Sequence, residues 1–343
     1  MKYFFLLLYV LPNIYALDQE SLFEYTKSWL HSTSKAVSGL SGAVSSFYCD
    51  HLTECCDEKS VPHDLQGLKN VLMTELYGQH IAQDIVLNAI NSHINNPKPK
   101  KPLVMSFHGG NGVGKSYVSK MIARALYKKG DESSFFHFYY GLQDFPLAEK
   151  SSEYQIQLKK EVEAAVSRCE RSLFVFDGVD RMPSGLLDAL MPFIDCPTCK
   201  ARDKKHKSIF IILTNTGSLS IQKQLSQKKE EGLSRQSTTL KDFEKYIVSD
   251  TLNNKGGLFE SLLIEHHAID FYVPFLPMER EHVQLCIEEA FQELNSTPTA
   301  QLVNRVFEEL MFGPEPHNHY SNSGCKRVSQ IAGRITSKLK LEL

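Results

Sequence analysis

The sequence lacks an excess of charge of either sign. Its 343 residues carry 38 Lys and Arg against 40 Asp and Glu, which gives a formal net charge of -2 at pH 7. A nearly neutral chain has no overall electrostatic attraction to nucleic acid or to an anionic membrane. We therefore expect no nucleic-acid partner. The apolar share of 42% is ordinary for a globular protein, so the chain has enough apolar residues for a packed core.

Long apolar runs are lacking after the first few residues. Residues 3–11 are apolar, follow Lys2 and precede a stretch that ends in the small residue Ala16. About 20 apolar residues are needed to span a bilayer, whereas this shorter arrangement is typical of a cleaved secretory signal. We expect residues 1–16 to be a signal peptide, the remaining chain to be lumenal or secreted, and no segment to cross a membrane. Two interpretations of residues 21–48 stay open, a segment peripherally associated with a membrane and a poorly ordered N-terminus.

The eight cysteines do not form an evident metal site. Cys196 and Cys199 form a CPTC motif, but the second ligand pair that zinc would need is not evident. A thioredoxin-type motif opens a helix, whereas CPTC follows a helical pattern. Because a lumenal compartment is oxidising, we favour a local structural role, as a disulfide or as free thiols, with redox or metal chemistry as the alternative. The charged segments at residues 200–207 and 227–236 are interpreted as solvated.

The stretch GGNGVGKS at residues 109–116 has the spacing of a phosphate-binding loop. It follows the buried-strand pattern LVMSFH and precedes a helical pattern, which is the context that such a loop needs. In this motif backbone N–H groups face phosphate oxygens, Lys115 reaches the β- and γ-phosphates and the Ser116 hydroxyl binds Mg²⁺. The stretch therefore predicts a site for ATP and Mg²⁺ that consists of Gly109, Gly110, Asn111, Gly112, Val113, Gly114, Lys115 and Ser116.

Further strand patterns alternate with helical ones, which predicts a parallel α/β sheet with ligands at the carboxyl ends of its strands. Asp177 ends the strand LFVFD and is the second expected Mg²⁺ ligand. ATPases of this type normally carry a carboxylate at the next position, where it orients or deprotonates the attacking water, but this chain has Gly178. Asp180 is the nearest alternative carboxylate. Asn215 ends a later strand and is expected to contact the γ-phosphate or the water, although asparagine is also an ordinary turn former.

Four longer stretches extend these motifs: NNPKPKKPLVMSFHGGNGVGKSYVSKMIARALY, SLFVFDGVDRMPSGLLDALMPFID, IDFYVPFLPMEREHVQLCI and SNSGCKRV. Together with the signal sequence they resemble the torsins, AAA+ ATPases of the endoplasmic reticulum lumen and nuclear envelope, from roughly Cys49 to the end. The resemblance implies an AAA+ P-loop NTPase fold, in which a parallel sheet flanked by helices precedes a small helical domain. The implied parts are a cysteine-containing segment at residues 17–60, a nucleotide-binding domain at 61–272 with YGQH (77–80) near the adenine, and a helical domain at 273–343.

The resemblance also implies roles for residues of the helical domain. The motif GCK at residues 324–326 matches the second sensor of the family, whose lysine, here Lys326, reaches the γ-phosphate. In the family the cysteine of this motif forms a redox-sensitive disulfide, which here would join Cys325 to Cys286. Two unrelated thiols are the alternative.

Torsins lack an arginine finger and are activated by the lumenal domain of a membrane protein that supplies one. The resemblance therefore implies such a partner in the endoplasmic reticulum and perinuclear space. Glu308 and Glu309 match paired glutamates in the region that contacts this partner, although their helical spacing alone indicates a solvated face. Assembly into a homo-oligomer stays open. Asn295 begins an N-glycosylation sequon, NST, whose use is disfavoured by Pro298.

Two positions depart from the torsin pattern. Ser116 stands where the family usually has asparagine, and it restores an ordinary magnesium-binding hydroxyl. Gly178 stands where the family has glutamate, and the loss of a general base typically lowers a rate by about 10²- to 10⁴-fold. The sequence thus supports two hypotheses. The first is a partner-activated ATPase that remodels protein or membrane complexes with chaperone-like action, and the second is a module that binds ATP without efficient hydrolysis.

Overall fold

The computed structural model describes three parts of the chain, which are residue 49, residues 54–195 and residues 204–341. The predicted signal peptide and the segment at residues 21–48 lie outside the described residues, as do Cys196 and Cys199 of the CPTC motif. Within the described ranges, no helix has the length and apolar character that crossing a bilayer requires.

The chain divides into two compact units, Met1–Cys55 and Cys56–Leu343. In the first unit a disulfide joins Cys49 to Cys55. In the second unit a disulfide joins Cys56 to Cys169, which is 113 residues further along the chain. The expected structural role of the CPTC cysteines stays a prediction, because both lie outside the described residues.

Five parallel strands form the central sheet of the second unit. In chain order β1 to β5 they are Leu103–His108, Phe136–Tyr140, Leu173–Asp177, Ile209–Thr214 and Phe271–Pro274. Their order across the sheet is β2-β3-β4-β1-β5. The inner strands β1 and β4 are buried along their whole length, which explains their nearly continuous apolar sequence, because both faces of a parallel sheet are covered. The predicted parallel α/β sheet is therefore confirmed.

Helices surround this sheet. Among the described residues, α1 to α12 are Leu65–Glu75, His80–Asn95, Lys115–Leu126, Gly141–Asp144, Ser151–Arg168, Met191–Ile194, Ser218–Glu230, Leu240–Asn253, Leu262–Glu265, Arg280–Glu293, Ala300–Glu308 and Val328–Leu341. The break between α1 and α2 contains Gly78 with φ +69°, a backbone conformation that favours glycine. The helix α8 begins with reciprocal hydrogen bonds between Thr239 and Asp242, which satisfy backbone donors that would otherwise lack partners.

The last three helices pack against one another and extend the core of the sheet. Apolar residues of β1 and of the segment after β5 belong to one buried cluster with residues of α10, α11 and α12. A short antiparallel pair, β6 (Phe312–Gly313) and β7 (Tyr320–Ser321), lies between α11 and α12 in the sequence. The strand β5 ends at Pro274, so the sheet includes the first two residues of the segment predicted as helical, 273–343. The domain limits themselves stay a prediction.

Candidate nucleotide-binding site

A cavity of about 500 Å³ opens at the carboxyl ends of β1, β3 and β4. Ligands of open α/β sheets bind at this edge, because loops from neighbouring strands meet there. Three groups of residues line the cavity. The ends of the strands and the segments after them contribute residues 111–116, Asp177 and residues 213–215. The end of α1 and the break after it contribute residues 75–77, and the C-terminal helices contribute residues of α10, Lys326 and residues of α12.

Two glycines of the predicted phosphate-binding loop, Gly112 and Gly114, cannot take a side chain unless neighbouring atoms shift. Gly112 has φ +72°, and a Cβ added there would lie 2.1 Å from the carbonyl oxygen of Ser323. Gly114 has φ +108°, and its Cβ would lie 2.8 Å from Leu76 Cδ1. The loop passes directly into α3 at Lys115, so the unpaired N–H groups of the helix N-terminus face the cavity, where they favour an anion.

Lys115 is buried beneath the loop and donates three hydrogen bonds. Its Nζ lies 2.6 Å from Gly109 O, 2.7 Å from Gly110 O and 3.0 Å from Asn215 Oδ1. Burial lowers the pKa of Lys115 to about 8, and the charge of Lys326 adds to this effect, whereas Asp177 and Asp180 oppose it. The predicted phosphate-binding lysine and the predicted sensor asparagine are therefore in direct contact, although 100 residues separate them.

Two oxygen ligands come together where Mg²⁺ was expected. The hydroxyl of Ser116 donates to Asp177 Oδ2 across 2.7 Å. Mg²⁺ prefers hard oxygen ligands, and it commonly uses one or two protein groups together with phosphate oxygens and water. A hydroxyl and a carboxylate beside the phosphate loop fit this preference.

Gly178 follows Asp177 in a left-handed conformation, with φ +74°. Its N–H donates to Leu213 O across 3.1 Å, so the turn after β3 is attached to the backbone of β4. A Cβ added at Gly178 would meet no atom within 4 Å. The position where torsins carry a glutamate thus has room for a side chain, and its backbone is in a conformation that glycine favours.

The carboxylate of Asp180 faces the turn at residues 214–216, called the sensor turn below because it carries the predicted sensor Asn215. Asp180 Oδ1 accepts from the backbone N–H of Asn215 at 3.0 Å and from the Thr214 hydroxyl at 3.4 Å. The side-chain amide of Asn215 reaches Asp180 Oδ2 at 3.5 Å. The structure therefore brings Asn215 between Lys115 and Asp180.

The GCK loop reaches the phosphate loop through the backbone. The N–H of Cys325 donates to Gly112 O across 3.0 Å, and a disulfide joins Cys325 to Cys286 of α10 with their Cα atoms 6.1 Å apart. Both cysteines line the cavity, as does the exposed Lys326. Lys326, the predicted second sensor, thus lines the same cavity as Asn215, the predicted first one.

The expected adenine end of the cavity is only partly formed by YGQH. Tyr77 lines the cavity together with Glu75 and Glu289, and burial raises the pKa of the Glu289 carboxyl, with the charges of Glu293 and Glu75 acting in the same direction. His80 is instead hydrogen-bonded to Thr238 O at 2.9 Å. The YGQH motif did not predict that Glu75 and Glu289 would line this end of the cavity.

Gln79, which was predicted near the adenine as part of YGQH, and Arg235 have structural roles that sequence reasoning missed. Gln79 is fully buried and bonds to Val113 O of the phosphate loop and to both the N–H and the carbonyl of Leu276. Arg235 belongs to the segment 227–236, which was expected to be solvated, yet only 7% of it is exposed. That expectation is wrong for Arg235 because its guanidinium donates to Gly78 O and Pro277 O, which satisfies a buried charge.

Comparisons with a family model and with curated proteins all find similarity to torsins. A family model described as Torsin matches residues 49–176. A torsin-like protein of Caenorhabditis elegans is 38% identical over 293 residues, which cover 84% of this chain and 82% of that protein. A torsin-like protein of Drosophila melanogaster is 34% identical over 312 residues, or 88% and 92% of the two chains.

The chain belongs to the torsin family. The predicted family is therefore confirmed, and the family and the AAA+ fold together support a torsin-like AAA+ ATPase.

Solved structures support the AAA+ fold of this torsin. The Hsp104-ADP complex of Saccharomyces cerevisiae superimposes with a TM-score of 0.56 at 17% identity, covering 82% of this chain and 48% of that one. A closed-state structure of Hsp104 with ATPγS and FITC casein gives a TM-score of 0.51 at 17% identity, covering 81% and 46%. The torsin chain thus spans about half the length of the Hsp104 chains, and at this identity the likeness shows the fold alone.

The remaining predicted site residues, Glu308, Glu309 and Asn295, lie outside the cavity. Glu308 ends α11 and is exposed, and Glu309, the next residue, pairs with Arg334 of α12. Asn295 is exposed in the turn after α10, with φ +52°. An exposed turn is compatible with the predicted sequon, and the roles of Glu308 and Glu309 in partner contact stay predictions.

Proposed function

We propose that this chain is a torsin ATPase of the endoplasmic reticulum lumen and perinuclear space, that it binds ATP with Mg²⁺ in the cavity described above, and that it remodels protein or membrane complexes. Its hydrolysis is activated by the lumenal domain of a membrane protein. One observation carries the proposal: Lys115, Asn215 and the Ser116–Asp177 pair converge on one cavity, although they lie at or after the ends of three different strands, β1, β3 and β4.

The residues of the site divide the work between binding and positioning. The N–H groups at the start of α3 and the ammonium of Lys115 bind phosphate oxygens, because a charged oxygen is a stronger acceptor than the loop carbonyls that Lys115 now contacts. Ser116 and Asp177 would hold Mg²⁺ through their oxygens. When bound, ATP would supply the phosphoryl group, and Mg²⁺ would neutralise negative charge on the phosphate oxygens. Asn215 orients the attacking water or the γ-phosphate, and Lys326 approaches from the C-terminal helices.

The proposal that a partner completes the site has support in the residues around the cavity. Among the described residues, no arginine lines it. Phosphoryl-transfer sites of this kind commonly use an arginine supplied in trans, which raises the rate by about 10³- to 10⁵-fold. A lumenal domain that offers an arginine at the open side of the cavity would supply this charge. Association of several copies of this chain remains a second proposal on assembly.

A second candidate function has one specific observation in its favour. Gly178 offers no carboxylate, and both oxygens of Asp180 face the sensor turn. If no other carboxylate activates water, the chain binds ATP between the phosphate loop and the GCK loop and does not hydrolyse it efficiently. It would then act as an ATP-dependent binding module.

Single-turnover hydrolysis by the purified chain separates the two functions. The rate is measured with and without a candidate activating lumenal domain, with an arginine-to-alanine version of that domain as its control, and ATP affinity is measured in parallel. Tight binding and hydrolysis that depends on the domain and its arginine support the ATPase. Tight binding without turnover in any mixture would support the binding module.

The proposed location is tested separately by protease protection in microsomes. A chain with a cleaved signal and a lumenal location is protected until detergent opens the vesicles. Digestion of the chain in intact vesicles would contradict the location without affecting the enzymatic proposal.

A further inference from the structure

The turn that carries Asn215 is held from two sides. On one side, His108 at the end of β1 is fully buried and its Nδ1 lies 3.0 Å from Thr216 O. A carbonyl only accepts, so Nδ1 carries the proton, and His108 Nε2 then accepts from the Ser106 hydroxyl at 2.7 Å. This arrangement fixes the backbone of the turn against the strand that leads into the phosphate loop.

On the other side, Asp180 contacts the same turn at its backbone and at its side chain. Its Oδ1 accepts from the N–H of Asn215, and its Oδ2 lies 3.5 Å from the amide nitrogen Nδ2 of Asn215. The carboxylate therefore spans both parts of the residue predicted to sense the γ-phosphate.

The two charged neighbours of Asn215 set the orientation of its amide. Lys115 donates to Oδ1, and the carboxylate of Asp180 faces Nδ2. An amide rotated by a half turn would place its N–H groups against the ammonium and its carbonyl against the carboxylate, and both contacts would be repulsive. When Lys115 donates to a phosphate instead, Asp180 is the charged neighbour that still fixes the amide.

Close backbone packing holds Asp180 in this place. A Cβ added at Gly256 would lie 3.1 Å from the Cα and from the carbonyl oxygen of Asp180, and the N–H of Gly257 donates to Val179 O across 2.8 Å. The backbone of the loop at residues 256–257 thus lies directly against the turn after β3. Turning the Asp180 carboxylate toward the space beside Gly178 would break its bonds to Asn215, and the packed backbone restrains Asp180 from shifting its main chain in compensation.

We infer that Asp180 is a positioning residue, which fixes the orientation of the Asn215 amide through direct hydrogen bonds, and that it does not replace the carboxylate missing at Gly178. This inference rests on the proposed function, because Asn215 matters for the rate only if the site hydrolyses ATP. His108 holds the opposite side of the same turn.

A double-mutant cycle tests the inference. Asp180→Asn keeps the shape of the side chain and removes its charge, Asn215→Ala removes the amide, and the third variant carries both changes. Asp188→Asn is the matched control, because Asp188 also accepts from a backbone N–H and a hydroxyl, at Leu262 and Ser261, but does not line the cavity. The measurements are single-turnover hydrolysis with the activating domain and ATP affinity.

We expect Asp180→Asn to lower the rate by about 10- to 100-fold, the usual cost of losing a group that orients another, and to leave ATP affinity within about twofold. In the Asn215→Ala background the same change has little further effect. An equal loss in both backgrounds would overturn the inference and indicate that Asp180 acts on its own, as a base would. No loss in either background would also overturn it.

A readout without nucleotide keeps the inference testable in a chain that does not hydrolyse ATP. The side-chain amide signals of Asn215 are assigned in a nitrogen–proton NMR spectrum by their loss in Asn215→Ala. Asp180→Asn should shift them toward solvent-exposed values, and Asp188→Asn should not. Unchanged signals in Asp180→Asn would contradict the positioning role. If Asn215→Ala keeps the full rate, the proposed function loses its sensor, and the NMR result still decides on Asp180.

Discussion

Two glycines of this site have almost the same backbone conformation and opposite surroundings. Gly112 in the phosphate loop has φ +72°, and Gly178 after β3 has φ +74°. A Cβ at Gly112 would lie 2.1 Å from Ser323 O, whereas a Cβ at Gly178 would meet nothing within 4 Å. Packing therefore requires the first glycine, but only backbone conformation favours the second. The side of the site proposed to bind phosphate is tightly packed, and the side proposed to activate water has open space where a side chain could lie.

The substitution Gly112→Ala should disrupt the packing of the phosphate loop, and we expect it to have the largest effect on stability among these variants. The added methyl group forces the phosphate loop away from the GCK loop and strains a left-handed backbone, so we expect the free energy of unfolding to fall by about 2–4 kcal/mol. ATP binding should fall with it. Urea unfolding and an ATP titration measure both effects.

The matched control is Gly178→Ala, which has the same backbone strain and no clash. It should cost only about 1 kcal/mol. Equal losses of stability in the two variants would contradict the distinction between a packed and an open side.

The substitution Lys115→Ala tests whether the packed side binds phosphate. Loss of a charged donor to phosphate should cost about 1.5–3 kcal/mol, which weakens ATP affinity by about 10- to 150-fold. Isothermal titration gives the affinity. Lys120→Ala, on the same helix but outside the cavity lining, should leave affinity unchanged. Retained ATP affinity in Lys115→Ala would overturn the assignment of the loop.

Acid should destabilise the fold, because His108, which holds the turn that carries Asn215, is buried. Burial lowers the pKa of His108 from 6.5 to about 4, and the charge of Lys115 acts in the same direction. Between these values the unfolded chain binds more protons, so stability is present above pH 6.5 and is lost as the pH falls toward 4. From pH 7 to pH 5 the free energy of unfolding should fall by about 2 kcal/mol from this group alone.

Urea unfolding at several pH values checks this expectation. His63 and His137, whose pKa values burial also lowers to about 4, act in the same direction. A histidine ring signal that shows His108 neutral down to pH 5 would link the loss of stability to this residue. Constant stability from pH 7 to pH 5 would contradict the account of His108.

The sequence was sufficient to predict the features of the site that depend on local patterns. The phosphate loop, Asp177 and Asn215 are recognisable because each belongs to a short pattern at the end of a strand. Such local patterns can be read directly from the sequence. The absence of a carboxylate at Gly178 is equally visible. The parallel sheet follows from alternating strands and helices.

Contacts between distant segments could not be predicted in this way. Gln79 joins the phosphate loop to Leu276 across 197 residues of sequence. Arg235 looks like part of a solvated charged segment, and only the carbonyls of Gly78 and Pro277 explain its burial. The partners of Asp180 are likewise set by the neighbouring strand β4, which no local pattern specifies.

The most direct test of the account is single-turnover hydrolysis by Gly178→Glu and by the unchanged chain, both with the activating lumenal domain and with Gly178→Ala as the control for backbone strain. The account holds that the chain hydrolyses ATP as it stands once a partner completes its site. It therefore predicts measurable turnover by the unchanged chain and a change of less than about tenfold in Gly178→Glu. A rise of about 10²- to 10⁴-fold, the usual contribution of a general base, would show that the native site lacks its chemical step and would contradict the account.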